Sequence, residues 1–350
     1  MDKTSLNRLE RICQTPGAPG YEQPIRSLIL NELEGLVDQV ELDNMGNIYG
    51  IVKGKNDKRV MVGAHMDEIG FIVTHIDDNG FIRFHTLGGF DPKTLTAQRV
   101  IIHGKEDVIG VMAAKPIHVM TQEERNKNPK ITDYFIDTGR SKEEVESLID
   151  IGNPITRQRS FIEMGDCVNG KSLDNRLAVY ILIETLRNLK GKTLPYDLYA
   201  VFTVQEEVGI RGANVAAMRV KPDFGLGLDT TVAYDLPGAA AHEKITSLGK
   251  GAAIKIMDAS TICDYRMVNY MKRTADRHSI TWQPEILTAG GTDTAGIQRM
   301  TAGGSIAGAI SIPTRHLHQV IEMAHKTDIQ SCIDLLSHCI CDISDFDWEF

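Results

Sequence analysis

The spacing of apolar residues changes period several times along the chain. From Glu22 to Val37, Ile25, Leu28, Ile29, Leu33 and Leu36 recur at helical spacing, and QVELDNMGNIYGIVKG then reads as two strands around an Asn-Met-Gly turn. KRVMVGAHMDEIG is a buried strand that ends in polar residues. The second half repeats this alternation. A helix from Asp174 to Leu189 precedes a strand from Asp197, a helix after Gly212, and the strands FGLGLD and AAIKIMD. A helix near Ile262 to Ala275, the strand SITWQPEIL, a helix after Gly291, the strand SIAGAISI and a long final helix follow. Such a rhythm predicts a three-layer α/β domain.

Between Gly70 and Met164 the rhythm breaks. FIVTHIDDNGFIRFH forms a hairpin around Asp78-Asn79-Gly80, VIIHGKEDVIGVMAAK resembles another, and a short helix starts near Ser141. TQEERNKNPKITD is polar and reads as a mobile loop. The expected organisation is therefore a catalytic-type α/β domain formed by residues 1–69 and 165–350, interrupted by a β-rich domain at 70–164. A chain of 350 residues supports two domains, because single cores stop growing near ~250–300 residues.

Composition narrows the function classes. Hydrophobic residues make up 42% and charged residues 24%, and a formal charge of −9 is spread along the chain, so nothing indicates a nucleic-acid or membrane-binding face. The N-terminus has no apolar signal segment and no run approaches ~20 apolar residues, which points to a cytoplasmic protein. Cys13, Cys167, Cys263, Cys332, Cys339 and Cys341 lack paired spacing and are expected to be reduced. HCICD at 338–342 continues a helical pattern and is expected to pack the terminal helix rather than bind metal.

Chemistry concentrates at strand ends. GAHMDE offers His65 and Asp67, KSLDNR puts Asp174 at a helix start, VFTVQEEVG gives Glu206 and Glu207, GLDTT ends a strand at Asp229, and IPTRHLHQ gives His316 and His318. Each has an ordinary structural role: a core histidine, a helix cap, a turn former, a solvated loop. Together, carboxylates gathered at one sheet edge repel unless cations neutralise them, and two divalent ions suit imidazole and carboxylate ligands. Such ions lower the pKa of water and polarise a carbonyl, as a hydrolase requires. Glu206 and Glu207 are adjacent at a strand's carboxyl end, so they are expected to point apart and to do different jobs.

GAHMDEIGF, SLDNRLAVY, VQEEVGIRGA, LDTT, GGTDTAG and IPTRHLH, in this order through almost the whole chain, resemble the M42 metallo-aminopeptidases, the tetrahedral or glutamyl aminopeptidases. Some members carry the labels endoglucanase or deblocking aminopeptidase. The resemblance implies a zinc-peptidase-like fold and an inserted domain used for dimer contacts, with dimers building twelve-subunit tetrahedral shells that admit short peptides. It implies two divalent ions, zinc or cobalt and possibly manganese. His65 and Asp229 would hold one and Glu207 and His318 the other, with Asp174 bridging and followed by a cis peptide bond. Asp67 would orient His65, and Glu206 would be the general base. Relatives more often carry an aromatic residue where His316 stands. His318 matches the family position, the two imidazoles are expected to face opposite ways, and His316 would line the pocket or be structural.

The implied activity is removal of N-terminal residues from short peptides by metal-activated water. An N-acyl amino acid or peptide deacylase could use the same metals. A glycosidase would need two acids flanking one bond, which adjacent side chains pointing apart do not provide. A non-catalytic metal-binding assembly protein would not need the base that Glu206 supplies. No G-x-S-x-G elbow offers a nucleophile. GGTDTAGIQ and GANVAAM are mostly small and apolar, favouring neutral N-terminal side chains.

Overall fold

The computed structural model describes residues 1–349. Eleven strands form one mixed sheet whose centre is parallel: Leu194–Thr203, Gly54–His65, Phe224–Val232 and Ile306–Arg315 lie side by side and run the same way. The hairpin Gln39–Leu42 and Ile48–Val52 extends one edge, and Glu322–His325, Cys167–Gly170 and Ile162–Met164 extend the other. Ala252–Met257 pairs with Ile306–Arg315 and carries Trp282–Ile286.

The central strands become continuously apolar where they enter the core, as from Val60 to Ala64, because there both faces are covered. Along Gly54–His65, Val60, Val62 and Ala64 pack into the larger core with helices Lys3–Gln14, Gln23–Glu32, Leu173–Leu189, Tyr265–Arg277 and Lys326–Cys341. Met61, one residue out of step, faces a smaller core containing Ala216, Ala217 and Val220 of helix Arg211–Val220 and Ile297 of helix Thr294–Arg299. This period-two division makes three layers.

Six further strands between Gly70 and Gln158 close into a barrel in the order Gly70–Ile76, Ile82–Leu87, Phe135–Asp137, Asp107–Ala113, Arg99–His103, Pro154–Gln158. It has its own core, including Phe71, Val100, Ile136 and Ile155. The Ser141 hydroxyl caps helix Lys142–Leu148 by accepting the Glu144 N–H, and the Glu144 carboxylate accepts the Ser141 N–H in return, the reciprocal arrangement of a capping box.

Several details differ from the sequence reading. Residues 3–14 form an amphipathic helix burying Leu6, Leu9, Ile12 and Cys13, capped by Asp2, which receives the Ser5 N–H. TQEERNKNPKITD contains a helical turn, Gln122–Arg125, fixed by a Thr121 and Glu124 capping box, and a 3-10 turn at Ile131–Asp133. The second helix ends at Glu32 rather than near Val37. Among the described residues all six cysteines are free, and no helix is long and apolar enough to cross a membrane.

Candidate metal centre and active site

The parallel strands deliver their chemistry to one edge. His65 is the last residue of Gly54–His65, paired with Thr203, and Asp229 follows Leu228, which pairs with Ala64. Glu206 and Glu207 lie three and four residues beyond Leu194–Thr203, and His318 lies three beyond Ile306–Arg315. Asp174 enters from the helix Leu173–Leu189 at its non-helical first turn, after Ser172 in the left-handed region at φ 60°. The Asp174–Asn175 peptide bond is cis. Asn175 donates to the Leu228 carbonyl at 2.9 Å, tying this turn to the strand that carries Asp229.

Asp174 stands between the two histidines. Its Oδ1 is 3.3 Å from His65 Nε2 and its Oδ2 is 3.4 Å from His318 Nε2. Asp229 Oδ1 is 3.7 Å from His65 Nε2, and Glu207 Oε2 is 3.5 Å from His318 Nε2. Two triads result, His65–Asp174–Asp229 and Asp174–Glu207–His318, each with one ligand atom per residue and all three atoms within 4.8 Å of one another. Glu206 belongs to neither, and its Oε2 is 3.8 Å from His65 Nε2. All six residues line one cavity of about 590 Å³.

The electrostatics of the cluster are those of crowded, buried carboxylates. Burial first, then Asp174, pushes the Glu207 carboxyl up to about 8. Burial also raises Glu206 well above its ordinary range; His65 opposes this, while Asp229 and Glu207 add to it. Burial opposes charge on His318, but the Asp174 hydrogen bond and Glu207 outweigh it and push the imidazole up to about 10. Like charges within 4.8 Å repel by roughly 3–4 kcal/mol per pair at an effective dielectric constant of ~20, more than the ~1 kcal/mol a hydrogen bond returns. Glu207 Oε1 is buried without a hydrogen-bond partner. Oxygen and imidazole donors, shared repulsion and an orphaned carboxylate oxygen fit two divalent cations.

Surrounding groups fix the donors. The His65 Nδ1–H points at the Asp67 carbonyl at 3.1 Å, leaving Nε2 for the site. The buried Asp67 carboxylate accepts the backbone N–H groups of Glu206 at 3.0 Å and Glu207 at 3.1 Å. Asp67 therefore holds His65 and also aims both glutamates. His318 Nδ1 faces the Gly89 carbonyl at 2.8 Å, and Arg157 donates to the His318 carbonyl at 3.1 Å, so barrel-side residues orient one member of the site.

Glu206 and Glu207 do not take opposite faces of a strand. The strand has ended at Thr203 and Gln205 is left-handed at φ 54°, so both acids enter the same cavity, directed at different histidines. Alternation on an extended chain would place His316 and His318, two apart, on the same side, and the chain here is not extended. Both have φ near +60°, at 58° for His316 and 61° for His318, and of the two only His318 lines the cavity.

Sequence reasoning missed three groups. The buried Glu322 accepts the Asp174 N–H at 3.0 Å and the His318 N–H at 2.9 Å, serving both triads. Asp293, inside the motif GGTDTAG, receives the Thr203 hydroxyl, and burial pushes its carboxyl up to about 7. Glu68, beside Asp67, pairs with Lys171 at 2.7 Å, and Arg176 donates to the carbonyls of Ile12 and Thr15, locking the N-terminal helix. Only the motifs GAHMDE, GGTDTAG and LDNR hinted at any of these; Glu322 has no local signal. Glu322→Gln, which turns one acceptor into a donor, is expected to weaken zinc binding by about 10–100-fold, the usual effect of losing an outer partner of a ligand. Chelator competition reads this directly, and unchanged affinity would show that Glu322 does not position the ligands.

A three-layer α/β fold with paired donor triads at the carboxyl edge of its parallel strands, and a spare carboxylate beside them, is the arrangement of a metal-dependent hydrolase. The model of the M42 glutamyl aminopeptidase family matches residues 46–335, and the chain belongs to that family. It is a metal-dependent aminopeptidase. It is 31% identical over 351 residues to the lysyl aminopeptidase of Pyrococcus furiosus, covering 97% of this chain and 98% of the relative. Its structure matches the TET aminopeptidase of a marine-sediment thaumarchaeote with a TM-score of 0.93 at 34% identity, covering 97% and 96% of the two chains. A TET peptidase of Pyrococcus horikoshii, described as assembling into a tetrahedron or a large octahedral shell, matches with a TM-score of 0.86 at 31% identity, covering 96% of this chain and 99% of that one.

Proposed function

We propose that the protein removes N-terminal residues from short peptides at a dinuclear centre in which His65 and Asp229 hold one ion, Glu207 and His318 the other, and Asp174 both. The observation that carries this reading is the placement of Asp174, one oxygen toward each histidine. Two divalent ions bound there, zinc, cobalt or manganese, supply electrophilic polarisation of the scissile carbonyl and ready ionisation of water at neutral pH. Glu206, outside both triads but inside the cavity, takes the proton from the attacking water and returns it to the leaving amine. Asp67 keeps Glu206 in place through its backbone N–H. The acidic edge receives the free α-ammonium group of the substrate.

Lys255, which lines the cavity, is compensated by Asp258 at 3.1 Å and Glu285 at 3.3 Å. Among the described residues lining the cavity no unpaired lysine or arginine therefore waits for an acidic side chain, and Thr230, Val232, Leu287 and Ala289 offer a neutral surface. The preferred N-terminal residue is neutral. The inserted domain at 70–164, whose barrel spans Gly70–Gln158, makes dimer contacts, and the dimers assemble into a tetrahedral dodecamer, a reading supported by the shell-forming neighbour. The six free cysteines support a cytoplasmic setting.

The test compares aminoacyl anilides and short peptides bearing free or N-acetylated termini, after chelation and after zinc, cobalt or manganese is restored. Free, neutral N-termini are expected to be hydrolysed and acetylated ones spared, with activity lost on chelation and recovered on addition. Preferential cleavage of the acetylated series would make the protein a deacylase, and chelator-insensitive turnover would revive a metal-free glycosidase or hydrolase.

A further inference from the structure

HCICD was singled out in the sequence and the catalytic site does not use it. In the fold its cysteines do pack the terminal helix, with Cys339 fully buried, but His338 and Asp342 flank them at i and i+4 and share one helix face. A third residue comes from another element. His278 is the residue that ends helix Tyr265–Arg277, and its Nε2 lies 2.7 Å from Asp342 Oδ2. The His278 and His338 rings stack with centroids 3.6 Å apart and planes at 20°. One ligand atom from each of the three residues lies within 4.8 Å of the others.

A His–Asp pair closing two helix C-termini is ordinary, because imidazolium there meets the negative end of the helix dipole. The second imidazole is not accounted for that way. His338 makes no side-chain hydrogen bond among the described residues, and one of its ring nitrogens lies within 4.8 Å of donor atoms of both His278 and Asp342. Side-chain exposures of 26% for His278 and 21% for Asp342 leave room for an ion and for water to complete its shell.

We propose that His278, His338 and Asp342 form a third metal site, outside the catalytic cavity, that takes a zinc-class divalent ion and pins the C-terminal end of helix Tyr265–Arg277 to that of helix Lys326–Cys341. Two imidazoles and one carboxylate with water in the fourth position is a donor set that zinc, nickel and copper accept. Ligand atoms about 2.0–2.1 Å from a tetrahedral ion lie about 3.3–3.4 Å apart, so the 2.7 Å His278–Asp342 contact must open by roughly 0.6 Å and the stacked rings must turn their lone pairs inward. Both histidines are partly exposed, so the adjustment is a side-chain one. Arg277, 3.8 Å from Asp342 and 3.6 Å from Asp345, competes for the carboxylate and retains Asp345 when the ion binds.

The experiment counts ions. Protein stripped by chelator is equilibrated with graded free zinc, and metal per subunit is measured for the wild type, His338→Ala and the near-isosteric Asp342→Asn. The wild type is expected to bind one ion more per subunit than His338→Ala, and Asp342→Asn is expected to bind that ion at least ~10-fold more weakly. Peptidase activity should stay the same in all three. Because the readout is a difference of one between variants, it holds whatever number the catalytic cavity takes up. Equal stoichiometry and equal affinity in the wild type and Asp342→Asn would overturn the site, even if His338→Ala proved insoluble.

Discussion

Glu206→Gln is expected to keep its metals and lose turnover, with kcat falling by ~10²–10⁴-fold while KM changes far less. The amide nearly matches the carboxylate in shape and cannot accept the water's proton. Glu206 lies outside both donor triads, 3.8 Å from His65 Nε2, so no ion depends on it. Its neighbour should behave in the opposite way. Glu207 is in a triad with Asp174 and His318, and Glu207→Gln removes one anchoring charge, so metal content falls along with rate. Metal analysis beside steady-state kinetics separates the two. Near-normal turnover in Glu206→Gln, or metal loss equal to that of Glu207→Gln, would reverse the assignment of roles within the pair.

Asp174→Ala should be the most damaging single change at the centre. Asp174 is the one member common to both triads, and its two oxygens lie 3.3 Å from His65 Nε2 and 3.4 Å from His318 Nε2. Removing it takes a donor and a negative charge from both ions at once, so both should be lost together, with affinity falling by more than the ~10–100-fold typical of an outer partner. Asp229→Ala and Glu207→Ala should each weaken one ion first. Titration with zinc tests this: one ion held tightly in Asp174→Ala would show that the carboxylate does not bridge.

Much of this architecture is legible in the sequence because the central strands are covered on both faces and so read as continuous apolar runs. The carboxyl edge is legible for the same reason: a polar residue at the end of such a run or within three residues beyond it, as at His65, Asp229, Glu206 and His318, has few places to point except the crevice. Helix Lys3–Gln14 is legible too, in the helical spacing of Leu6, Leu9, Ile12 and Cys13 behind the cap Asp2, a pattern that reading the segment only for a signal peptide passes over. Simple alternation fails at Glu206, Glu207, His316 and His318 because left-handed turns at Gln205 and at both histidines redirect the chain after its strands end. Glu322 could not be found at all. Its role comes from a hairpin that brings it back under Asp174 and His318, an arrangement that only tertiary pairing reveals.

The central claim is a pair of ions sharing Asp174, and anomalous diffraction from zinc-loaded crystals tests it most directly. Two peaks per subunit are predicted in the cavity, one contacted by His65 and Asp229, the other by Glu207 and His318, with Asp174 reaching both and Glu206 reaching neither. A single peak there, or an ion ligated by Glu206 in place of Glu207, would contradict the account.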